Sequence, residues 1–292
     1  MKPAPFKYIA ATSLAQALAL KAEHGDEAKF LAGGQSLMPA MNFRLAQPAI
    51  LIDINRIEEL AGIRLATGGG AHIGALTRYH QLARDAGMIR DFPLLGETLP
   101  HIAHPQIRNR GTIGGNLSHA DPASELPAVA VALQARMRLQ TATAERWVAA
   151  ADFFLGSLTT DLQSDEMLTE IEWPSSPPRT GACFMEIARR RGDFAIVGVA
   201  ALVTLDENSH CSRIRLAFCG VGETPVDATA AAGLLIGREV TEPEIAEVAH
   251  AIQQIIEPAG SVHATADYQR HIAGVLTERA LMTANQRARD GH

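Results

Sequence analysis

Two glycine-rich stretches constrain this chain more than any other feature. Residues 111–125, GTIGGNLSHADPASE, place three glycines, three small hydroxyl residues, an Asn, a His and two carboxylates in fifteen positions without a hydrophobic period. Residues 30–45, FLAGGQSLMPAMNFRL, repeat the theme some eighty positions earlier. Such segments cannot build a core themselves, and long glycine-rich loops in compact domains are usually functional. Glycine lets the backbone approach a ligand closely and adopt positive φ, so that successive N–H groups converge on an anion without help from Lys or Arg. Two such loops would bracket one diphosphate, with the hydroxyls of Ser36, Thr112 and Ser118 as further donors and Asn116 in either role. Asp121 or Glu125 would repel phosphate and suits ribose hydroxyls instead. The competing reading is that glycine pairs at strand ends are simply turns.

The familiar phosphate motifs are missing. No GxxxxGK[ST] occurs, no GxGxxG follows a strand, and GGGAHIG at 68–74 fails on spacing. A Rossmann dehydrogenase and a P-loop enzyme are both disfavoured. With 292 residues, two domains are expected, and a hydrophobic share of 47% with 20% charged residues is that of a globular protein. A net charge of −6 argues against a nucleic-acid or anionic-membrane surface, since the only basic cluster is Arg189–Arg190–Arg191. The N-terminal segment lacks a secretory apolar region and no apolar run approaches a bilayer span, so a cytoplasmic protein is expected. Cys183, Cys211 and Cys219 lack CxxC spacing and read as three buried thiols, neither a disulfide framework, a zinc site nor an iron–sulfur ligand set.

Periodicity predicts a β-α-β-turn-β unit at the start. FKYIAA is a strand, a helix capped by Thr12 or Ser13 runs to Gly25, AKFLA is a second strand, and AILIDI at 49–54 a third. QSLMPAMNFRL reads as one or two helical turns interrupted by Pro39. IRLATGGGAHIGAL is a hairpin, Thr77 caps a helix to about Asp85, FPLLGETLPHIA is another helix, and HPQIRNRG a loop. ELPAVAVAL is a core helix, and three strands follow in ARMRLQT, RWVAA and MLTEIEWP. PSSPPR at 174–179 is the clearest linker, which divides the chain into 1–177 and 178–292. Beyond it come three long strands and then helices only, with Thr241 and Glu244 as a capping box ahead of Ile245, Val248, Ala249, Ile252 and Ile256. A three-stranded sheet covered by helices is the expected C-terminal domain. The fold class is α+β throughout.

AGGQSLMPAMNFRLAQP (32–48) with IRNRGTIGGNLSHADPASELPA (107–128) resembles the FAD-binding medium subunit of the molybdenum hydroxylases, the carbon-monoxide-dehydrogenase and xanthine-dehydrogenase group. The similarity continues through LIDINRI, IGALTR, FMEIARRRGDFAIVGVA and YQRHIAGVLTERAL, and spans nearly the whole chain. The resemblance implies a two-part FAD-binding domain of the PCMH type over 1–177 and an α+β C-terminal domain over 178–292. It implies cofactor contacts from Lys29, Ala32, Gly33, Gly34, Gln35, Ser36 and Leu37 in the first region. In the second it implies Ile102, Ala103, Ile107, Gly111, Thr112, Gly114, Gly115, Asn116, Ser118, Asp121 and Glu125, with Leu168 further on. Several relatives have a Lys close to the isoalloxazine where this chain has Met185 and Glu186, which bears on redox tuning and not on FAD binding.

The resemblance also implies partners: a large subunit with a molybdenum cofactor and a small subunit with two [2Fe–2S] clusters, in a dimer of heterotrimers. Electrons would leave through this chain to an external acceptor, with no acid, base or nucleophile of its own needed. The GGQS form of the first stretch favours relatives that hydroxylate aromatic N-heterocycles over carbon-monoxide oxidisers. A free-standing flavin oxidase and a flavin-free assembly module are the alternatives, and the acceptor, whether quinone, cytochrome, oxygen or NAD, stays open. His101 and His104 lack a third metal ligand and read as lining or capping residues. His119 is read as a cofactor contact or a solvent-facing loop residue, RRRGDFA as an interface or solvated turn, and the apolar face of the tail as core.

Overall fold

A computed structural model describes residues 2–291. The chain opens with a parallel sheet of β1 (Lys7–Ala10), β2 (Ala28–Leu31) and β3 (Ile50–Asp53) in the order β1-β3-β2. Helix α1 (Leu14–His24) makes the first crossover, and Ser13 caps it by accepting from the Gln16 amide at 3.2 Å. The first glycine stretch leaves β2 and enters α2 (Leu37–Asn42). Pro39 does not interrupt that helix as expected. It lies in the first turn, where a backbone N–H has no intrahelical acceptor to lose.

A five-stranded antiparallel sheet follows, ordered β4-β5-β10-β6-β7. β4 (Ile63–Leu65) and β5 (Ala71–Gly74) form the expected hairpin, its turn allowed by positive φ at Gly68, Gly69 and Gly70. Short helices then run across one face: α3 (Tyr79–Leu82), α4 (Ala86–Asp91), α5 (Pro93–Thr98), α6 (Pro105–Arg108), α7 (Ile113–His119) and α8 (Glu125–Ala132). The cap expected at Thr77 is not formed, because its hydroxyl is tied to Gly62 on both sides at 3.0 Å, and the helix begins two residues later. α6 also lies within what reads as a loop. Helix α8 is buried at every position, as its apolar sequence predicts. β6 (Arg136–Gln140), β7 (Glu145–Ala149), α9 (Ala150–Phe153), the small ribbon of β8 (Phe154–Gly156) and β9 (Thr159–Thr160), and β10 (Met167–Trp173) complete this part.

The C-terminal sheet has four antiparallel strands where three are expected. β11 (Thr180–Ala188), β12 (Ala195–Leu205) and β13 (Cys211–Cys219) are joined by β14 (Val226–Asp227), whose two residues are too few to show a period. Helices α10 (Thr229–Ala232), α11 (Glu242–Ile255) and α12 (Ala266–Asp290) cover one face. Ile245, Val248, Ala249 and Ile252 form the buried face of α11, but the Thr241 side chain makes no capping bond. The other face of the sheet packs on the preceding part of the chain, where Ala182, Phe184, Ala200, Leu202 and Ala217 share one core with Leu94, Leu95, Leu126 and Val129. Glu97 pins this seam, accepting from the Phe184 amide at 2.9 Å and pairing with Arg287 of α12 at 2.5 Å. Among the described residues no helix is long and apolar enough to cross a membrane.

Candidate functional site

Ala32 to Ser36 form the bend between β2 and α2, and none of the five amides from Gly33 to Leu37 donates to an acceptor among the described residues. Free amides at a glycine bend leading into a helix can converge on an anion. Gly34 supplies the positive φ, at 71°, that turns the chain, above Leu31 and Met38. Gln35 and Ser36 are exposed, and Gln35 Nε2 donates to the Gly33 carbonyl at 2.9 Å. Leu37 is half-buried in the first turn of α2, and Lys29 is exposed on β2.

The second stretch departs from the expectation of a non-periodic loop. Residues 113–119 are helix α7, with Ile113 and Leu117 buried one turn apart. Thr112 caps it by accepting from the Gly115 amide at 3.1 Å. Glycines hide this helix from sequence reading because their helix cost outweighs a single apolar pair until tertiary packing is counted. The amides of Ile113 and Gly114 are spent on the carbonyls of Thr77 and Ala75, and that of Gly111 on Ile107, at 2.7–3.0 Å. The second stretch is therefore no array of free amides, and Gly111, Gly114 and Gly115 do not adopt positive φ. They are glycine for closeness. A Cβ on Gly111 would meet the Tyr79 ring at 2.5 Å, and one on Gly114 would collide with Ala75.

The fold brings the two stretches together. A Cβ on Gly33 would lie 2.5 Å from the Arg110 carbonyl oxygen and 2.9 Å from Gly111 Cα, and one on Gly115 only 3.7 Å from the Ala32 methyl. Two residues that sequence reasoning did not single out hold this contact. Asn55, just after β3, donates to the carbonyls of Leu31 and Ala32 at 3.2 and 2.9 Å and to Asp53. Arg78 donates to the Asn55 side-chain oxygen and to the Arg110 carbonyl, bridging both stretches with one guanidinium. Both lie in segments noted for their family likeness, LIDINRI and IGALTR, but a brace has no motif.

The rim is formed by the residues around Ile102. That side chain is buried, Ala103 takes φ of 47°, and Arg108 fixes both carbonyls at 3.0 and 2.7 Å. Ile107 lies half-buried in α6, its carbonyl holding Gly111. Gly192 packs on His104 and the Ala103 carbonyl, which places the RRRGDF turn against this rim. Asn116 and Ser124 exchange hydrogen bonds of 2.8 and 3.0 Å, and Asp121 closes its own turn by accepting from the Ala123 amide. Ser118 and His119 are half-buried at the end of α7. Leu168 is buried on β10, in the same core as Ile102 and Ile113.

Glu125 is buried at the start of α8. Its residue is 5% exposed and burial pushes its carboxyl up to about 8, with Glu186 and Asp121 adding to the rise. Across the seam from it the Glu186 side chain is 4% exposed, with Oε1 3.1 Å from His101 Nδ1 and Oε2 without a partner among the described residues. Strand alternation sends Met185 the other way, to the core under α12. The buried thiol of Cys219 is held well above its usual range by burial and by these two acids. Pro100, His101, Glu186, Ile187, Ala188, Arg190 and Arg191 line a cleft of about 300 Å³ at this point.

The model of the FAD binding domain in molybdopterin dehydrogenase matches residues 4–176, and that of the CO dehydrogenase flavoprotein C-terminal domain matches residues 182–284. The chain belongs to the FAD-binding subunits of the molybdopterin dehydrogenases. It is 43% identical to the 6-hydroxypseudooxynicotine dehydrogenase complex subunit alpha of Paenarthrobacter nicotinovorans, over 99% of this chain and 97% of that one. It is 41% identical to the caffeine dehydrogenase subunit beta of Pseudomonas sp. strain CBB1, over 98% and 97% of the two chains. The carbon monoxide dehydrogenase structure from Hydrogenophaga pseudoflava superposes with a TM-score of 0.95 at 40% identity, covering 98% of this chain and 99% of that one. This FAD-binding medium subunit is therefore a component of an oxidoreductase, in a family whose members are subunits of molybdenum-containing complexes. Its glycine bend, with unspent amides beside a second glycine-rich stretch, has the chemistry that the diphosphate of FAD needs.

Proposed function

We propose that the amides of Gly33 to Leu37 hold the FAD diphosphate and that Gly111, Thr112, Gly114 and Gly115 form the wall against which it lies. The observation that carries this is the contact between the two stretches beside a run of free donors. Asn116, Ser118 and Asp121 would meet the more distant hydroxyls, and Ile102, Ala103 and Ile107 the ring system, with Lys29 and the Leu168 backbone at the margins. When bound, FAD accepts and releases electrons singly or in pairs. The chain's own part is to bind, orient and shield. Its place in the complex is between the [2Fe–2S] clusters of a small subunit and an external acceptor, with a large molybdenum subunit performing hydroxylation and the whole assembled as a dimer of heterotrimers in the cytoplasm. The division at 177/178 separates the flavin-holding part from the α+β part that covers it.

The substrate of that complex is an aromatic N-heterocycle or a related small molecule. The relatives' names, with 6-hydroxypseudooxynicotine and caffeine, support a nitrogen-containing substrate. Carbon monoxide is the second reading, supported by the similarity to the Hydrogenophaga enzyme. The direct test is Gly33→Val. The purified wild-type chain is expected to carry stoichiometric flavin by absorbance, and the variant, whose side chain must part the two stretches, to purify colourless with an unchanged far-UV circular dichroism spectrum. A variant that stays yellow refutes the assignment of the diphosphate site. Co-purification with large and small subunits, followed by assay of the complex on N-heterocycles and on carbon monoxide, decides the rest.

A further inference from the structure

The face of the C-terminal sheet that packs on the first part of the chain ends in charge. Strand alternation puts Arg213 and Arg215 of β13 on the same face as Ala217, which belongs to the shared core. Arg215 stands opposite Leu202 of β12, and Arg213 opposite Thr204, which pairs in turn with Thr180 of β11. Apolar packing therefore gives way, within one row, to two hydroxyls and a guanidinium. At this point the sheet, the end of α8 at Leu133 and the linker at Ser175 and Ser176 enclose a pocket of about 70 Å³. Both arginines line it.

The charge in this pocket is unanswered. No Asp or Glu lines it. Arg215 makes no hydrogen bond or ion pair among the described residues, and its Nε is buried without an acceptor. Burial, and Arg213 beside it, hold the Arg215 guanidinium below its usual value, and Asp227 of β14 opposes them only in part. Arg213 donates to the neutral side-chain oxygen of Gln134. Arg179, at the end of the linker, is by contrast engaged by the Asp206 carbonyl and the Ser209 hydroxyl. Two like charges two positions apart on one strand face repel, and a partly desolvated guanidinium without an acceptor is costly. The hydroxyls nearby are donors as well. Thr180 and Thr204 share one hydrogen bond of 2.7 Å, which leaves the second of their two protons free.

We propose that this pocket binds a small oxyanion of the phosphate class, held by Arg213 and Arg215 with the hydroxyls of Thr180, Ser175 and Ser176. A guanidinium fork matches the oxygens of such an ion, and the ion supplies the acceptor that Arg215 Nε lacks. The volume admits one phosphate group and is well below the roughly 300–1,000 Å³ of sites for larger ligands. Ser175 and Ser176 are exposed, so the pocket opens at the linker, and the remainder of a phosphate monoester would project into solvent there. The linker is itself held in place, because a Cβ on Gly69 of the β4–β5 turn would lie 2.7 Å from Ser175 Cβ. An ion in this pocket therefore ties linker, α8 and sheet together, and acts as a clamp on the seam. The site stands apart from the glycine stretches and does not depend on the flavin reading.

The test is isothermal titration of sodium phosphate into the full chain, in a chloride buffer at fixed ionic strength. The glycine bend also attracts phosphate, so the quantity read is the difference between wild type and Arg215→Met. The wild type is expected to bind one phosphate more than the variant, with a Kd of about 1 mM or tighter, and to unfold at a higher temperature as phosphate is added. Should Arg215→Met fold poorly, Arg213→Gln is expected to weaken the same site about tenfold or more, and Arg215→Lys, which keeps the charge without the fork, to retain weakened binding. Glycerol 3-phosphate in place of inorganic phosphate tells a monoester from a free ion, and tighter binding of either identifies the occupant. Identical titrations of wild type and Arg215→Met, or no phosphate uptake by the wild type, overturn the site. Binding that vanishes when the large and small subunits are present also overturns it, and assigns the pocket to a subunit contact.

Discussion

Arg78 joins the two glycine stretches through hydrogen bonds to Asn55 and to the Arg110 carbonyl. Charge-assisted bonds to a half-buried guanidinium are worth about 1.5–3 kcal/mol, so Arg78→Met should weaken flavin binding about tenfold or more in a titration of the flavin-free chain. An unchanged affinity would show that the stretches hold one another without it. Glu125 makes a prediction of opposite character. Its folded carboxyl is raised to about 8 from an ordinary value of 4.5, so the folded chain keeps a proton that the unfolded chain has lost between those values. Stability from this group is complete below pH 4.5 and is lost as pH rises through about 8. Denaturant unfolding at pH 5 and pH 8 should show Glu125→Gln gaining about 1–3 kcal/mol on the wild type over that interval. A constant difference between the two would refute the buried-acid assignment. At this scale the sequence revealed residue types and not their surroundings. Glycines and hydroxyls pointed to a ligand, whereas Glu125 read as a carboxylate for ribose hydroxyls with no sign of its burial, and Arg78 was not singled out at all.

Among the elements, α7 shows where sequence periodicity stops being informative. Three positions, Gly114, Gly115 and Asn116, are poor helix formers, and the segment is helical because Thr112 caps it and Ile113 and Leu117 pack inward. The long strands β11, β12 and β13 and the core helix α8 were legible, since continuous apolar runs of that length admit few alternatives. β14 and the ribbon of β8 and β9 were not, because two or three residues carry no pattern. Contact between elements is set by glycine at Gly181, where a Cβ would collide with the Ala284 carbonyl of α12. Neither backbone can retreat without displacing a strand or a helix, so Gly181→Ala should cost about 3 kcal/mol or more of stability by chemical denaturation. A loss below 1 kcal/mol would show that α12 can slide along the sheet.

On the scale of the whole molecule, the proline-rich segment 174–179 reads as a linker, yet it joins parts that share a single core. Phe184 and Leu202 pack with Leu94, Leu126 and Val129 in one apolar cluster, and Glu97 ties β11 to α12 across the seam. A change of composition marks that segment in the sequence, whereas packing between parts distant in the chain leaves no local period to read. The same sheet that closes the cleft on one face is roofed on the other by residues 266–290, where Ala273, Ala280, Leu281 and Ala284 complete its second core. A nascent chain on the ribosome therefore displays a half-covered, greasy sheet until that stretch of coding sequence has been translated. A chain ending before residue 266 would leave that apolar face open to water and prone to aggregate.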